Sequence, residues 1–144
     1  MSSSGLAAKL PLVFDNIFGP YNLITDFESL ATQNLKMLVL TNPGERMMDP
    51  NFGVGLRKYL FELNIDKTYT DIQTKIIEQV SRYLPYIKIQ KVQVSSPEAH
   101  RSRRSKDIVN PDNYPNQIKV SIYFKVVPLN ITSELEIDVN NNIN

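Results

Sequence analysis

The sequence predicts an α+β fold: two main helices packed on a small, mostly antiparallel three-stranded sheet, with an N-terminal arm and a long basic hairpin loop. Three observations predict it. Two stretches in the first 85 residues repeat apolar side chains at helical spacing. Three later stretches alternate apolar and polar residues, the strand period. Between the helices lies a Pro- and Gly-punctuated stretch that is too apolar to be a solvated loop.

The first helix is expected to open at Thr25, with Glu28 three residues on completing a capping box. Phe27, Leu30, Ala31, Leu35 and Leu38 follow at helical spacing. The run Met37 to Leu40 is apolar all round and reads as a helix end buried on every side. Pro43 and Gly44 stop it. The second helix is capped by Asp66 or Thr70. Its inner stripe is Tyr69, Ile72, Ile76, Ile77, Val80 and Tyr83, and Lys75, Glu78, Gln79 and Arg82 mark the wet side. Pro85 ends it, because Leu84 before a proline is pushed out of α geometry.

The stretch Asn42 to Glu62 is the organising connector. Pro presets φ and Gly permits positive φ, so Pro43-Gly44 and Asp49-Pro50 with Gly53 and Gly55 imply a fixed path. Phe52, Val54, Leu56, Leu60 and Phe61 need a dry environment, which predicts a rigid, partly buried connector ending in a short helix.

Tyr86 to Ser95 is the first strand. Its apolar phase, Ile87 and Ile89 then Val92 and Val94, slips by one residue at Gln90-Lys91, which implies a bulge or a change of face. Gln117 to Val127 alternates cleanly. Ile131 to Val139 alternates again, with Leu135, Ile137 and Val139 inward and Glu134, Glu136 and Asp138 outward. The short link Pro128-Leu129-Asn130 makes these two strands antiparallel neighbours.

A length of 144 residues suits one domain, 1–144. Within it, 1–24 form the N-terminal arm, 97–116 a hairpin excursion and 140–144 an Asn-rich tail. The apolar arm segment Leu6 to Phe18 packs either on its own domain or on a partner. The excursion carries Arg101, Arg103, Arg104 and Lys106 and reads either as a solvated loop or as a basic finger for an acidic partner surface.

Composition narrows the chemistry. With no cysteine there is neither a disulfide frame nor a thiolate metal site. A formal charge of +1 gives no global field toward nucleic acid or anionic membranes. No apolar run approaches a spanning helix and the N-terminus lacks a signal-peptide pattern, so no membrane role is expected. Nucleic-acid binding through the basic loop is disfavoured, since only Tyr114 could stack nearby.

No catalytic, metal or cofactor-binding residue is assigned, and the expectation is a non-enzyme. The single histidine, His100, has no acid placed to orient it. Gly53-Val54-Gly55 with Lys58 is at most a faint phosphate cradle, lacking a preceding strand. The alternative is glycoside hydrolysis. It would use Glu45 and Asp49 as its two carboxylates, although capping helix ends or pairing with Arg46 or Arg57 is the plainer reading of such residues.

Pro43-Gly44-Glu45-Arg46, then Asp49-Pro50-Asn51-Phe52-Gly53, then Gly55-Leu56 and Leu60-Phe61-Glu62 resemble the signature of the contractile-tail phage baseplate wedge and sheath-initiator family. That family includes the corresponding type VI secretion baseplate subunit, and its members are often labelled lysozyme-like, a label that would make the glycosidase alternative a peptidoglycan-cleaving, lysozyme-like one. The resemblance spans about Phe14 to Val139.

It implies a structural subunit of the virion tail baseplate, assembled in the host cytoplasm. Such a subunit sits around the tail tube and joins the wedge core to the tail sheath protein. Its partners would be the sheath protein, other baseplate wedge subunits and the tail tube. It further implies that the last strand, with Ile131, Ser133, Glu134, Leu135, Glu136, Ile137, Asp138 and Val139, nucleates the sheath by strand pairing. The resemblance also carries over the turn residues Gly44, Glu45, Arg46, Asp49, Pro50, Phe52 and Gly53. Many relatives end the second helix with Glu-Pro-Arg, a wedge-docking group. Here Leu84, Pro85 and Tyr86 stand in its place, which implies a more apolar wedge contact.

Overall fold

The computed structural model describes residues 5–14, 20–62, 66–95, 117–127 and 129–140. In chain order these form β1 (Ala7–Ala8), β2 (Leu23–Ile24), α1 (Phe27–Leu40), a 3-10 helix (Leu56–Phe61), α2 (Asp66–Tyr83), β3 (Ile87–Ser95), β4 (Gln117–Val126) and β5 (Ile131–Asn140). β1 and β2 make a two-stranded antiparallel ribbon. β3, β4 and β5 make the main sheet in that spatial order, antiparallel throughout. The α+β expectation therefore holds, the 3-10 helix is the short helix expected at the end of the connector, and a second small ribbon is added.

One face of the main sheet is dry. β4 turns Ile118, Val120, Ile122, Phe124 and Val126 to the core, and β5 adds Leu135, Ile137 and Val139. α2 covers β3, while α1 and the 3-10 helix lie on β5. From above come Ala31, Leu35, Leu38 and Val39 of α1 and Ile72, Ile76 and Val80 of α2. Fully burying an aliphatic side chain stabilises by about 1.5–3 kcal/mol, so this layer contact holds the fold.

The phase slip in β3 is a bulge. Ile87 and Ile89 pair with Val126 and Phe124, the register shifts between Ile89 and Lys91, and Val92 and Val94 then pair with Ile122 and Val120. All four apolar residues thus stay opposite buried partners, and the extra residue, Gln90, is exposed.

Several expectations about the helices are corrected. The N-cap of α1 is Asp26, whose Oδ2 accepts from Ser29 N–H at 2.7 Å. Thr25 does not make the capping box, and Glu28 instead accepts a hydrogen bond from the Ser133 hydroxyl on β5. Asp26 supplies a full charge to the positive end of the helix, where an anion is stabilised. Hydrogen bonds from Ser29 lower its pKa. At the other end of α1, Leu38 and Val39 are buried but Met37 is exposed, so that end is wet on one side. In α2, Ile77 is exposed, whereas Gln79, expected on the wet side, is only 6% exposed.

Candidate functional site

Three regions carry the residues singled out from the sequence: the connector, the end of α2 and the outer edge of β5.

The connector folds back to finish α1. A helix leaves its last carbonyls without intrahelical partners. Here Val54 N–H donates to Leu38 O at 3.1 Å and Gly55 N–H to Thr41 O at 2.9 Å. That close approach explains Gly53. It has φ of +109°, and a Cβ there would run into the Thr41 carbonyl. The amide of Gln79 grips the same point from α2. Its Oε1 accepts from Gly53 N–H at 3.0 Å and its Nε2 donates to Asn51 O at 3.2 Å. Gln79 is buried because the connector's backbone needs it, a role that periodicity could not reveal.

The tip is also locked. Glu45 accepts from Asn42 N–H at 2.9 Å and from Asn42 Nδ2 at 2.6 Å, and Gly44 N–H donates to Pro50 O at 2.8 Å. Tyr83 Oη donates to Asp49 Oδ1 at 3.0 Å. The Phe52 ring meets Tyr83 edge-on at 5.0 Å, and the Arg46 guanidinium lies 4.5 Å over the Phe52 ring. Met47 and Met48 project from this tip, each 96% exposed. Of the apolar residues expected to be dry, Val54, Leu56 and Leu60 are buried and Phe52 half-buried, but Phe61 is 74% exposed.

This geometry bears on the two chemical readings of the connector. Gly53, Val54 and Gly55 are buried against Thr41, Asn42 and Pro43, which leaves them no open cradle for a phosphate. The Asn42 backbone and side-chain hydrogen bonds hold the Glu45 carboxyl below the usual carboxylate range. A glycosidase acid needs the opposite shift.

At the end of α2, Leu84 is in the core, so only Pro85 and Tyr86 of the three expected docking residues offer surface. Tyr86 Oη accepts from Asn34 Nδ2 at 2.9 Å. It borders an apolar cleft of about 490 Å³ with Phe27, Leu30, Ala31, Val126 and Leu129.

The outer edge of β5 is long and regular. Ten consecutive residues, Ile131 to Asn140, pair with β4 without a break in register. Among the described residues no strand lies beyond it. Val127 N–H donates to Tyr86 O at 3.0 Å on the β3 side. Alternate residues of an antiparallel strand bond to opposite neighbours. Ile118, Val120, Ile122, Phe124 and Val126 therefore turn their backbone groups to β5. Their partners are Val139, Ile137, Leu135, Ser133 and Ile131. The backbone groups of Thr132, Glu134, Glu136 and Asp138 are left on the outer edge.

The side chains of those same residues lie on the open face. Lys119 Nζ sits 2.7 Å from Glu136 Oε1. That contact lowers the Glu136 pKa and raises that of Lys119. A hydrogen bond with Glu134 raises the pKa of Tyr123.

A model of the family described as baseplate wedge protein gp25 matches residues 27–127, more than half of the chain. The chain belongs to the baseplate wedge protein gp25 family. It is therefore a structural baseplate component of a contractile-tail particle. The matched span contains α1, the connector, α2, β3 and β4; β5 lies just past its end.

Two solved structures share the fold. A protein described as a tail lysozyme from Geobacter sulfurreducens superposes with a TM-score of 0.63 at 20% identity, covering 84% of this chain and 96% of that one. A chain of the anti-feeding prophage baseplate, solved by cryo-EM with six-fold symmetry, superposes with a TM-score of 0.64 at 22% identity, covering 84% of each. No curated protein matches the chain.

The basic residues Arg101, Arg103, Arg104 and Lys106 lie outside the described residues. Among the described residues, no group of three His, Cys, Asp or Glu side chains converges to hold a metal ion. No described helix is long and apolar enough to cross a membrane.

Proposed function

We propose that this baseplate wedge protein joins the wedge core to the tail sheath, and that β5 offers its outer edge for a sheath strand to pair with. The observation that carries this is the edge itself: ten residues in unbroken register, with the backbone groups of alternate residues turned outward. Main-chain hydrogen bonds give affinity at such an edge, and alternating side chains fix register. Leu135, Ile137 and Val139 serve the protein's own core. The contribution to a partner would come from the backbone and from Thr132, Glu134, Glu136 and Asp138.

Deleting Ile131 to Val139 would remove three core residues, so it cannot separate pairing from folding. Glu134→Pro is the sharper test. Proline is tolerated on an edge strand where its missing N–H would face outward. The variant is expected to keep its circular dichroism and to lose capture of purified sheath protein. Sheath capture undiminished by a folded Glu134→Pro would refute the proposed pairing.

Wedge docking is assigned to Pro85, Tyr86 and the apolar cleft beside them, in place of a charged contact. We read the chain as non-enzymatic, because Glu45 is held ionised as a partner of Asn42. Peptidoglycan turbidity should stay constant with the purified chain. Clearing that disappears in a folded Glu45→Gln would instead establish the glycosidase.

A further inference from the structure

The open face of the sheet is banded by charge. β5 contributes Glu134, Glu136 and Asp138, β4 contributes Lys119 and Lys125, and β3 contributes Lys88 and Lys91. A strand added outside β5 would set alternate side chains directly beside the acids, at about 4.5–5.5 Å between Cβ atoms. The β4 lysines would stand two strand spacings away, about 10 Å, roughly a Debye length at physiological salt. Lys119 is moreover already engaged with Glu136. The local field at the outer β5 edge is therefore acidic although the chain is nearly neutral. On the other face, the incoming side chains would extend the row Leu135, Ile137 and Val139 on the side covered by α1 and the 3-10 helix.

We propose that the occupant of the β5 edge is a strand of a different chain carrying Lys or Arg at alternate positions and aliphatic residues between them, selected by Glu134, Glu136 and Asp138. This rests on the reading of β5 as a pairing edge and names the chemistry of what pairs there. A second copy of this protein fits poorly. Its β3 begins with the required alternation, Ile87-Lys88-Ile89, but the bulge breaks it at Gln90-Lys91. The Val92 carbonyl is also taken by Gln73 Nε2 at 3.3 Å.

The test uses the full chain and two peptides of about nine residues, long enough for an ordinary strand. One alternates Lys with Val and the other Glu with Val. Affinity is measured at low and physiological salt, and hydrogen exchange is followed at the amides of Thr132, Glu134, Glu136 and Asp138. The Lys peptide is expected to bind at least about tenfold more tightly and to protect those amides, since directly opposed unlike charges attract and like charges repel. The preference should invert in the combined variant Glu134→Lys, Glu136→Lys, Asp138→Lys, whose altered side chains are all exposed.

Equal binding of both peptides with full amide protection would overturn the charge rule and leave the pairing edge standing. Protection by neither peptide would overturn both. Protection of β5 without peptide that rises with protein concentration would give the edge to a second copy and overturn the proposal.

Discussion

The two outer strands of the main sheet are built on opposite plans. β3 is interrupted by a bulge at Gln90, carries Lys88 and Lys91, and lies against α2, whose Gln73 reaches its Val92 carbonyl. Bulges, lysines and covering helices are the means by which proteins keep sheet edges from pairing with other chains. β5 carries three acids and is covered on its inner face, but it has no bulge, no lysine and no amide capping its outer carbonyls among the described residues. Its ten residues also contain no proline and no break in register. Both strands rest on the same central β4, so the sheet's position in the fold cannot account for the difference. Among the described residues one side is closed and the other left open, and the contrast supports the proposed pairing at β5 more sharply than β5 would alone.

The largest expected effect comes from undoing the closed edge. Deleting Gln90 removes the extra residue and leaves the alternation unbroken, with Ile87, Ile89, Val92 and Val94 all still inward, so β3 becomes as regular an edge as β5. No aliphatic side chain leaves the core, and the effect falls on association rather than on stability. Sedimentation should show the variant associating with rising concentration more than the parent, with a denaturation midpoint close to the parent's. A variant no more associated than the parent would mean that the bulge does not guard this edge.

A loss of stability, without a change of association, is expected from Gln79→Ala. It leaves the buried Gly53 N–H without its acceptor, and stranding a buried donor costs about 1–3 kcal/mol. The connector leads into the 3-10 helix, which packs on β5 more than on β3. Hydrogen exchange should therefore rise more in the 3-10 helix and β5 than in β3. Equal acceleration at both edges would show that the connector supports the sheet as a whole.

Much of this contrast is legible in the sequence. The break in β3's alternation and the unbroken alternation of β5 are visible in the residues, and the short link at Asn130 makes β4 and β5 neighbours. The reading of 97–116 as a hairpin excursion makes β3 and β4 neighbours as well, which puts β4 at the centre, as in the structure. The amide of Gln79 was illegible. It is polar by any scale, so it reads as wet. It is drawn inward by the Gly53 N–H and the Asn51 carbonyl, which the fold brings up from the connector and which periodicity does not mark. The cap of α1 failed similarly: Thr25 and Asp26 are both good N-caps, and only the backbone path decides between them.

The smallest effect concerns the single ion pair described on the open face, Lys119 with Glu136. Glu136 has its pKa lowered from an ordinary 4.5 by the Lys119 hydrogen bond and charge. Its contribution to stability is therefore present above the unfolded value and is lost as pH falls through the lower, folded one. Lys119 is raised from 10.5 by the same contact. Its contribution is complete below 10.5 and is lost as pH climbs through the higher folded value. Between these limits the pair is intact. Both groups are solvent-exposed, so the effect is small and weakens further with salt. In Glu136→Gln the denaturation midpoint should fall slightly less than in the parent between about pH 6 and about pH 3. Lys88→Gln, on the closed edge opposite Lys125, removes a like-charge neighbour and should leave that acid limb as it is. If the two substitutions flattened the acid limb equally, the open face would be answering to its overall charge, and the distinction between the edges would rest on the backbone alone.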